Sequence, residues 1–354
     1  MSLITRNVFI DTEFFVKANL DFNSRTIKAF EELCDNGEFR HVTCTIVAKE
    51  VERKIKEHIK DALRGIRNFR RKAMVLRDYE DDNIRNLFID IDEQDIEHKA
   101  LEAFNEFLEK SEASILDMKN VDLNEVIEMH FNETSPFSAK KPNEFRDAFT
   151  LLALRASLNE GEKIYIVSDD PDHVSFCNEN RNFISVDTLS TLLDIYNKHN
   201  DERSKFIAEF LESKRSSIIE ELKEKLESAE AYNSSTWEDS EIVSFEVIEI
   251  SNFEPQIIYL DDESCQIYFD ATVKFKVKTS GPNTSAGYYD KEEGVLYTFE
   301  YITKRNRQEK EFIVDIDLSF TRIGEDFINH DFDLNVRDLR AGIEFNIEEN
   351  SYDF

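Results

Sequence analysis

The hydrophobic period of this chain changes once, near Glu241, and no single fold class accommodates both sides of that change. Before it, short apolar runs alternate with stretches whose apolar residues recur every three or four positions. That is the mark of strands exchanging with amphipathic helices, and hence of a parallel sheet. After it, Ile242–Ile250, Cys265–Val277, Val295–Ile302 and Phe312–Phe320 alternate apolar and polar residues, with Gly281-Pro282 and Gly287 in the turns. Period two predicts an antiparallel β domain, a small sandwich or a curved sheet. The expected class is therefore α/β, followed by a mainly antiparallel β domain.

At 354 residues the chain has room for both. The boundaries read as an α/β domain over residues 1–200 with a helical insertion at about 78–138, a connecting helix at 201–232, and a β-rich domain over 241–354 with an acidic tail from Arg322. Ala229–Asp239, small and polar apart from Trp237, is the linker candidate.

Charge narrows the function classes. Lys and Arg number 44 against 75 Asp and Glu, a net charge of −31. A bulk charge of that sign repels nucleic acid, so any such contact needs a local basic patch. With 29 Phe and 11 Tyr the chain is not a disordered acidic tract. Cys34, Cys44, Cys177 and Cys265 are scattered without zinc spacing and read as buried thiols. No signal-peptide pattern and no run long enough to span a bilayer is seen, so a soluble, cytoplasmic protein with no membrane partner is expected.

Within the first domain, two apolar runs end in acids: Asn7-Val-Phe-Ile-Asp11, and Lys163–Val167 followed by Ser168-Asp-Asp-Pro-Asp172. In open α/β sheets chemistry sits beyond the carboxyl ends of such strands. Glu50 and Asp147 each stand near the start of a helix, Asp147 in line with Leu151, Leu154 and Leu158. Carboxylates without clustered His suit a hard ion, Mg²⁺ or Mn²⁺, rather than zinc. Such ions hydrolyse phosphodiesters by activating water and neutralising phosphate. Asp169, Asp170 and Asp172 are all candidate ligands, with Asp170 favoured over Asp169. The pattern alone does not select these acids from 75.

A long helix is predicted from Thr45, as N-cap, to about Arg77. It carries Lys49, Arg53, Lys56, Lys60, Arg64, Arg67 and Arg71 on one stripe. Over Lys49–Arg77 there are 11 basic against four acidic residues, a sign opposite to the whole chain. The stripe is read as facing nucleic acid, together with Lys140 and Lys141 before the helix that Asn143 is expected to cap. The β domain shows no basic surface by composition, so a protein regulator or another copy is its expected partner.

Val8-Phe-Ile-Asp-Thr12, Glu50 after Thr45-Ile-Val, Asn143-Glu-Phe-Arg-Asp-Ala148 and Ile166-Val-Ser-Asp-Asp170 resemble, in order and style, the PIN-domain nucleases. The long insertion and the Lys140-Lys-Pro-Asn-Glu-Phe-Arg-Asp-Ala148 run look like the larger bacterial PIN-like group. The resemblance covers residues 1–198. It implies a parallel-sheet α/β/α fold, Mg²⁺ or Mn²⁺ dependence, and cleavage usually of RNA, often in stress response or phage defence. It places an acidic tetrad on Asp11, Glu50, Asp147 and Asp170. Glu13 stands where family members commonly have Asn. Structure-selective DNA cleavage and a non-catalytic binding module are the competing functions.

Overall fold

In the computed structural model, residues 3–77, 81–89, 91–198, 202–261, 263–290, 295–323 and 326–349 are described. The chain divides into two compact units, Met1–His199 and Asn200–Phe354.

The first unit runs β1 (Asn7–Ile10), α1 (Thr12–Lys17), α2 (Arg25–Asp35), β2 (Arg40–Cys44), α3 (Thr45–Lys72), α4 (Asp82–Asn86), α5 (Glu93–Lys110), β3 (Ser114–Leu116), α6 (Leu123–Phe131), α7 (Phe145–Ser157), β4 (Ile164–Val167), α8 (Pro171–Glu179), β5 (Phe183–Val186) and α9 (Leu189–Lys198). Its five strands are all parallel, in the order β3-β2-β1-β4-β5. Val8, Phe9, Ile10, Ile164, Ile166 and Val167 are fully buried. Strands buried on both faces read as continuous apolar runs, which is why the two central ones were visible in the sequence.

Three readings of this unit change. The stretch taken as a helical insertion supplies an edge strand, β3, whose three residues are too few to show a period. Glu144, rather than Asn143, occupies the cap position of α7, and Cys44 rather than Thr45 that of α3. Helix α3 stops at Lys72, and its apolar face is buried only through Leu63, leaving Ile66 and Phe69 exposed.

The second unit runs α10 (Glu202–Glu227), β6 (Ala231–Asn233), β7 (Glu241–Ser251), β8 (Gln256–Leu260), β9 (Ser264–Pro282), β10 (Tyr288–Asp290), β11 (Val295–Tyr297), β12 (Tyr301–Ile323), β13 (Asp326–Val336) and β14 (Ile343–Phe345). Strands β13-β12-β9-β7 form one antiparallel sheet, with β8 also on β9. The second layer is a helix, not another sheet. Ile207, Leu211, Ile218, Leu222 and Leu226 of α10 share one core with Phe269, Val273 and Phe275 of β9 and Val314 and Ile316 of β12. Of the two forms expected, the sandwich is replaced by helix on sheet, and the helix read as a connector packs one side of the core.

The linker candidate is also structured. Ala231–Asn233 pairs in parallel with Ile343–Phe345. Trp237 is buried, and its Nε1 donates to the Pro282 carbonyl at 2.9 Å. The indole lies so close to Gly281 that a Cβ there would meet it at 2.5 Å. The run read as Val295–Ile302 breaks between β11 and β12, and the acidic tail contains the strands β13 and β14.

Candidate functional site

The site forms where β1 and β4 end side by side. The Asp11 backbone N–H donates to the Val167 carbonyl at 3.1 Å, which fixes the two strand ends together. Asp11 then leaves the sheet as the N-cap of α1, its Oδ1 accepting the Thr12 N–H at 2.7 Å. Its Oδ2 accepts from the Ser168 hydroxyl at 3.1 Å. Ser168 in turn accepts the Asp170 N–H at 3.2 Å, so one hydroxyl ties both strand-end acids together.

A residue that the sequence did not single out completes this hub. His173, in the first turns of α8, is 3 % exposed and lies 3.0 Å from Ser168 Oγ through Nδ1. With the Ser168 proton committed to Asp11, Nδ1–H donates to Ser168. The same Nδ1 is 3.8 Å from Asp11 Oδ2, and Nε2 is 3.9 Å from Asp147 Oδ1. One imidazole thus stands between two carboxylates brought from β1 and α7.

Electrostatics follow from that geometry. Burial pushes the Asp11 carboxyl up, helped by the Asp147 charge and opposed by His173. Burial pulls His173 down, but the carboxylates of Asp147, Asp11 and Asp170 outweigh it and raise the imidazole. For Asp147 burial also acts upward; the bonds to His173 and Glu144 and the charge of Arg146 win and hold it low. Glu144 is raised by burial and by Asp147.

The remaining acids lie around this hub, each beside a basic side chain. Glu50, from α3, accepts the Thr12 hydroxyl at 3.2 Å and pairs with Arg146 of α7. Asp170 caps α8 by accepting the Asp172 N–H at 2.7 Å. Lys141 lies 3.3 Å from Asp170 Oδ2 and 2.6 Å from Asp172 Oδ2, and the bond to Asp172 is the main cause of its raised pKa. Asp169 turns the other way and pairs with Lys17, which also reaches Glu13 at 3.3 Å. Lys140 is exposed.

Among the described residues no three Asp, Glu, His or Cys groups close into a ready metal cage. The donor chemistry nevertheless fits a hard divalent ion. The Asp147 charge adds to the cost of ionising Asp11, and a cation beside both carboxylates would relieve that cost. An ion taking Glu50 or Asp170 as well would displace Arg146 or Lys141.

The α3 stripe is less free than its sequence suggests. Lys56 pairs with Glu97 at 2.8 Å and Arg67 with Glu93 at 2.6 Å, both acids coming from α5. Lys49, Arg53 and Arg64 pair within α3, with Glu52, Glu57 and Asp61. Arg71 reaches Asn68, and Lys60 is exposed. At the start of the helix, a depression of about 460 Å³ is lined by Thr45, Ile46, Lys49, Glu50, Arg53 and Arg146. Cations and one of the candidate ligands therefore share a concavity.

His173, Ser168 and Arg146 are the side chains of this candidate site that sequence reasoning missed. The signal for His173 was faint: its place five residues after Ser168 brings a helix residue back over the strand end that precedes it. Residues 8–173 match the family model described as a PIN domain. No curated protein and no solved structure matches the chain. Among the described residues no helix is long and apolar enough to cross a membrane.

Proposed function

The chain carries a PIN domain over residues 8–173, and from that premise we propose that it is a metal-dependent nuclease hydrolysing phosphodiester bonds, with RNA as the substrate. A PIN domain implies a nuclease-type fold, usually that of a metal-dependent ribonuclease. One observation supports the reading most: Asp11, Asp147 and Asp170 gather around the buried Ser168–His173 hub at the carboxyl end of the sheet, and Thr12 ties Glu50 to it. Asp11, Glu50, Asp147 and Asp170 are the proposed ligands, with Asp172 behind Asp170.

Bound there, Mg²⁺ or Mn²⁺ would supply an activated water and neutralise the scissile phosphate. The chain's own groups do the positioning. Ser168 orients Asp11 by donating to it, and His173 stands between Asp11 and Asp147 and balances their charge. Lys49, Arg53 and Arg146 offer positive charge to the strand that enters the depression beside Glu50. Freed from Glu50 and Asp170, Arg146 and Lys141 would be two further cations beside the polyanion. The setting proposed is a cytoplasmic effector in stress response or phage defence, as the resemblance implies.

The test is incubation of the purified chain with RNA, single-stranded DNA and duplex or flap DNA in Mg²⁺, Mn²⁺ or EDTA. RNA cleavage in metal that stops in EDTA is expected. Cleavage confined to DNA would transfer the activity to a structure-selective DNA nuclease. No cleavage of any strand in either metal would leave a binding module, in which the basic partners of the acids are structural.

A further inference from the structure

The second unit carries a surface that its composition hides. Side chains alternate between core and solvent along β9 and between half-buried and exposed along the first half of β12, so this ribbon has an inward and an outward face. The register sets Lys278 opposite Arg305 and Lys276 opposite Arg307 on the solvent face. Thr303 and Tyr301 continue the same row, opposite Ser280 and Pro282. Tyr301 is 66 % exposed, and beyond the ribbon's end Phe299 is 78 % exposed, with Tyr288, Tyr289 and Tyr297 also in solvent.

Charge on this face is graded along the ribbon. Lys274 pairs with Glu249 at 2.8 Å and lies 4.0 Å from Glu309, and Lys276 pairs with Glu246 at 2.7 Å. Toward the aromatic end ion pairs stop, although exposed Glu241 of β7 stands opposite Ser280. The neighbour of Lys278 on β7 is Ser244, and Lys278, Arg305 and Arg307 have no ion pair among the described residues.

We infer that this basic and aromatic face binds single-stranded nucleic acid. Strand residues two apart lie about 6.6–6.8 Å from each other, so Arg305 and Arg307, with Lys276 and Lys278 beside them, form two parallel rows of cations for an extended polyanion. Exposed rings next to such rows are stacking platforms for unpaired bases, which a duplex keeps inside. An acidic protein segment would use the cations but not the row of rings. In a chain of net charge −31, a group of cations not engaged in ion pairs marks the place where a polyanion is least repelled. This inference concerns the second unit alone and stands whether or not the first unit cleaves.

The test is fluorescence anisotropy with labelled single-stranded RNA, single-stranded DNA and their duplex at several salt concentrations. The full chain is used with Asp11→Asn to prevent cleavage. Single strands should bind more tightly than duplex. The triple variant Lys278→Gln, Arg305→Gln, Arg307→Gln should weaken binding at least ~10-fold and flatten the log–log salt slope by about 2, at ~0.7 per phosphate contact. Tyr301→Ser should weaken it about 5-fold or more, whereas Lys274→Gln at the acidic end should change little. All five positions are exposed or half-buried, and an unchanged melting temperature confirms that each variant folds.

No binding of single strands, or unchanged affinity and slope in the triple variant, would overturn the inference. So would loss of binding only on replacing Lys56, Lys60, Arg64 and Arg67 with Gln, which would place the strand on α3. Salt-dependent self-association that the triple variant abolishes, without oligonucleotide binding, would give the face to another copy instead. A wild-type chain that binds through this face and cleaves nothing would refute the nuclease reading and leave this one intact.

Discussion

The two units spend the same acidic composition in opposite ways. In the first, like charges are drawn together at the ends of β1 and β4, where Asp11 and Asp147 share one imidazole. In the second, a carboxylate is buried against an opposite charge that itself stays half-buried. Asp315, 2 % exposed, accepts two bonds from Arg337, at 2.8 and 2.9 Å. A cluster of like charges costs stability and is kept for chemistry; a buried carboxylate doubly bonded to its partner is part of the packing, and breaking the pair leaves a charge without a partner. Function and stability therefore respond in opposite directions to the loss of a carboxylate or its partner in the two units.

The largest effect on stability belongs to the second unit. Arg337→Ala should destabilise it by about 3 kcal/mol or more, because Asp315 stays buried without its fork. Trp237, the single tryptophan, lies buried in this unit and reports its unfolding alone. A denaturant midpoint by tryptophan fluorescence that does not move would erase the contrast, since the pair would then be only a surface interaction.

A smaller effect separates the units by pH. His41, fully buried in the first unit beside Ser111, has its pKa lowered by burial to about 3. Its folded-state value lies below the unfolded one, so the stability it contributes is present above pH ~6.5 and is lost as pH falls toward the folded value. By pH 5 the loss should be about 2 kcal/mol. Far-UV dichroism, weighted to the helices of the first unit, should then melt earlier on acidification than tryptophan fluorescence does. In His41→Gln, whatever its starting stability, the gap between the two probes should narrow. Coincident acid transitions in the wild type would mean that the units do not differ in this way.

What was legible in the sequence follows the range over which each feature is determined. The buried runs of β1 and β4, and the acids ending them, are local, as is the alternation that announces β7, β9 and β12. His173 was not legible, because nothing near it in sequence says that α8 folds back over its own strand toward Asp11. The lysines at 274, 276 and 278 and the arginines at 305 and 307 are visible as alternations. Only the pairing of β9 with β12 makes them one surface, so the composition of the domain concealed it. Ala229–Asp239 reads as a linker for the same reason: what buries Trp237 is Gly281, far along the chain. The stripe on α3 is less free than its spacing suggests for the same reason, since the acids that engage Lys56 and Arg67 lie in α5.

The most direct test of the central claim is single-turnover cleavage of a labelled single-stranded RNA in Mn²⁺ by the wild type, Asp11→Asn and Asp170→Asn. Loss of the proposed ligands should cost at least as much as loss of groups that merely orient ligands, about 100-fold or more. Without metal the melting temperatures of both variants should hold or rise, because a repelling charge has gone. Cleavage at the wild-type rate by both folded variants would contradict the account, and would mean that the acids gathered around Ser168 and His173 are not where the strand is cut.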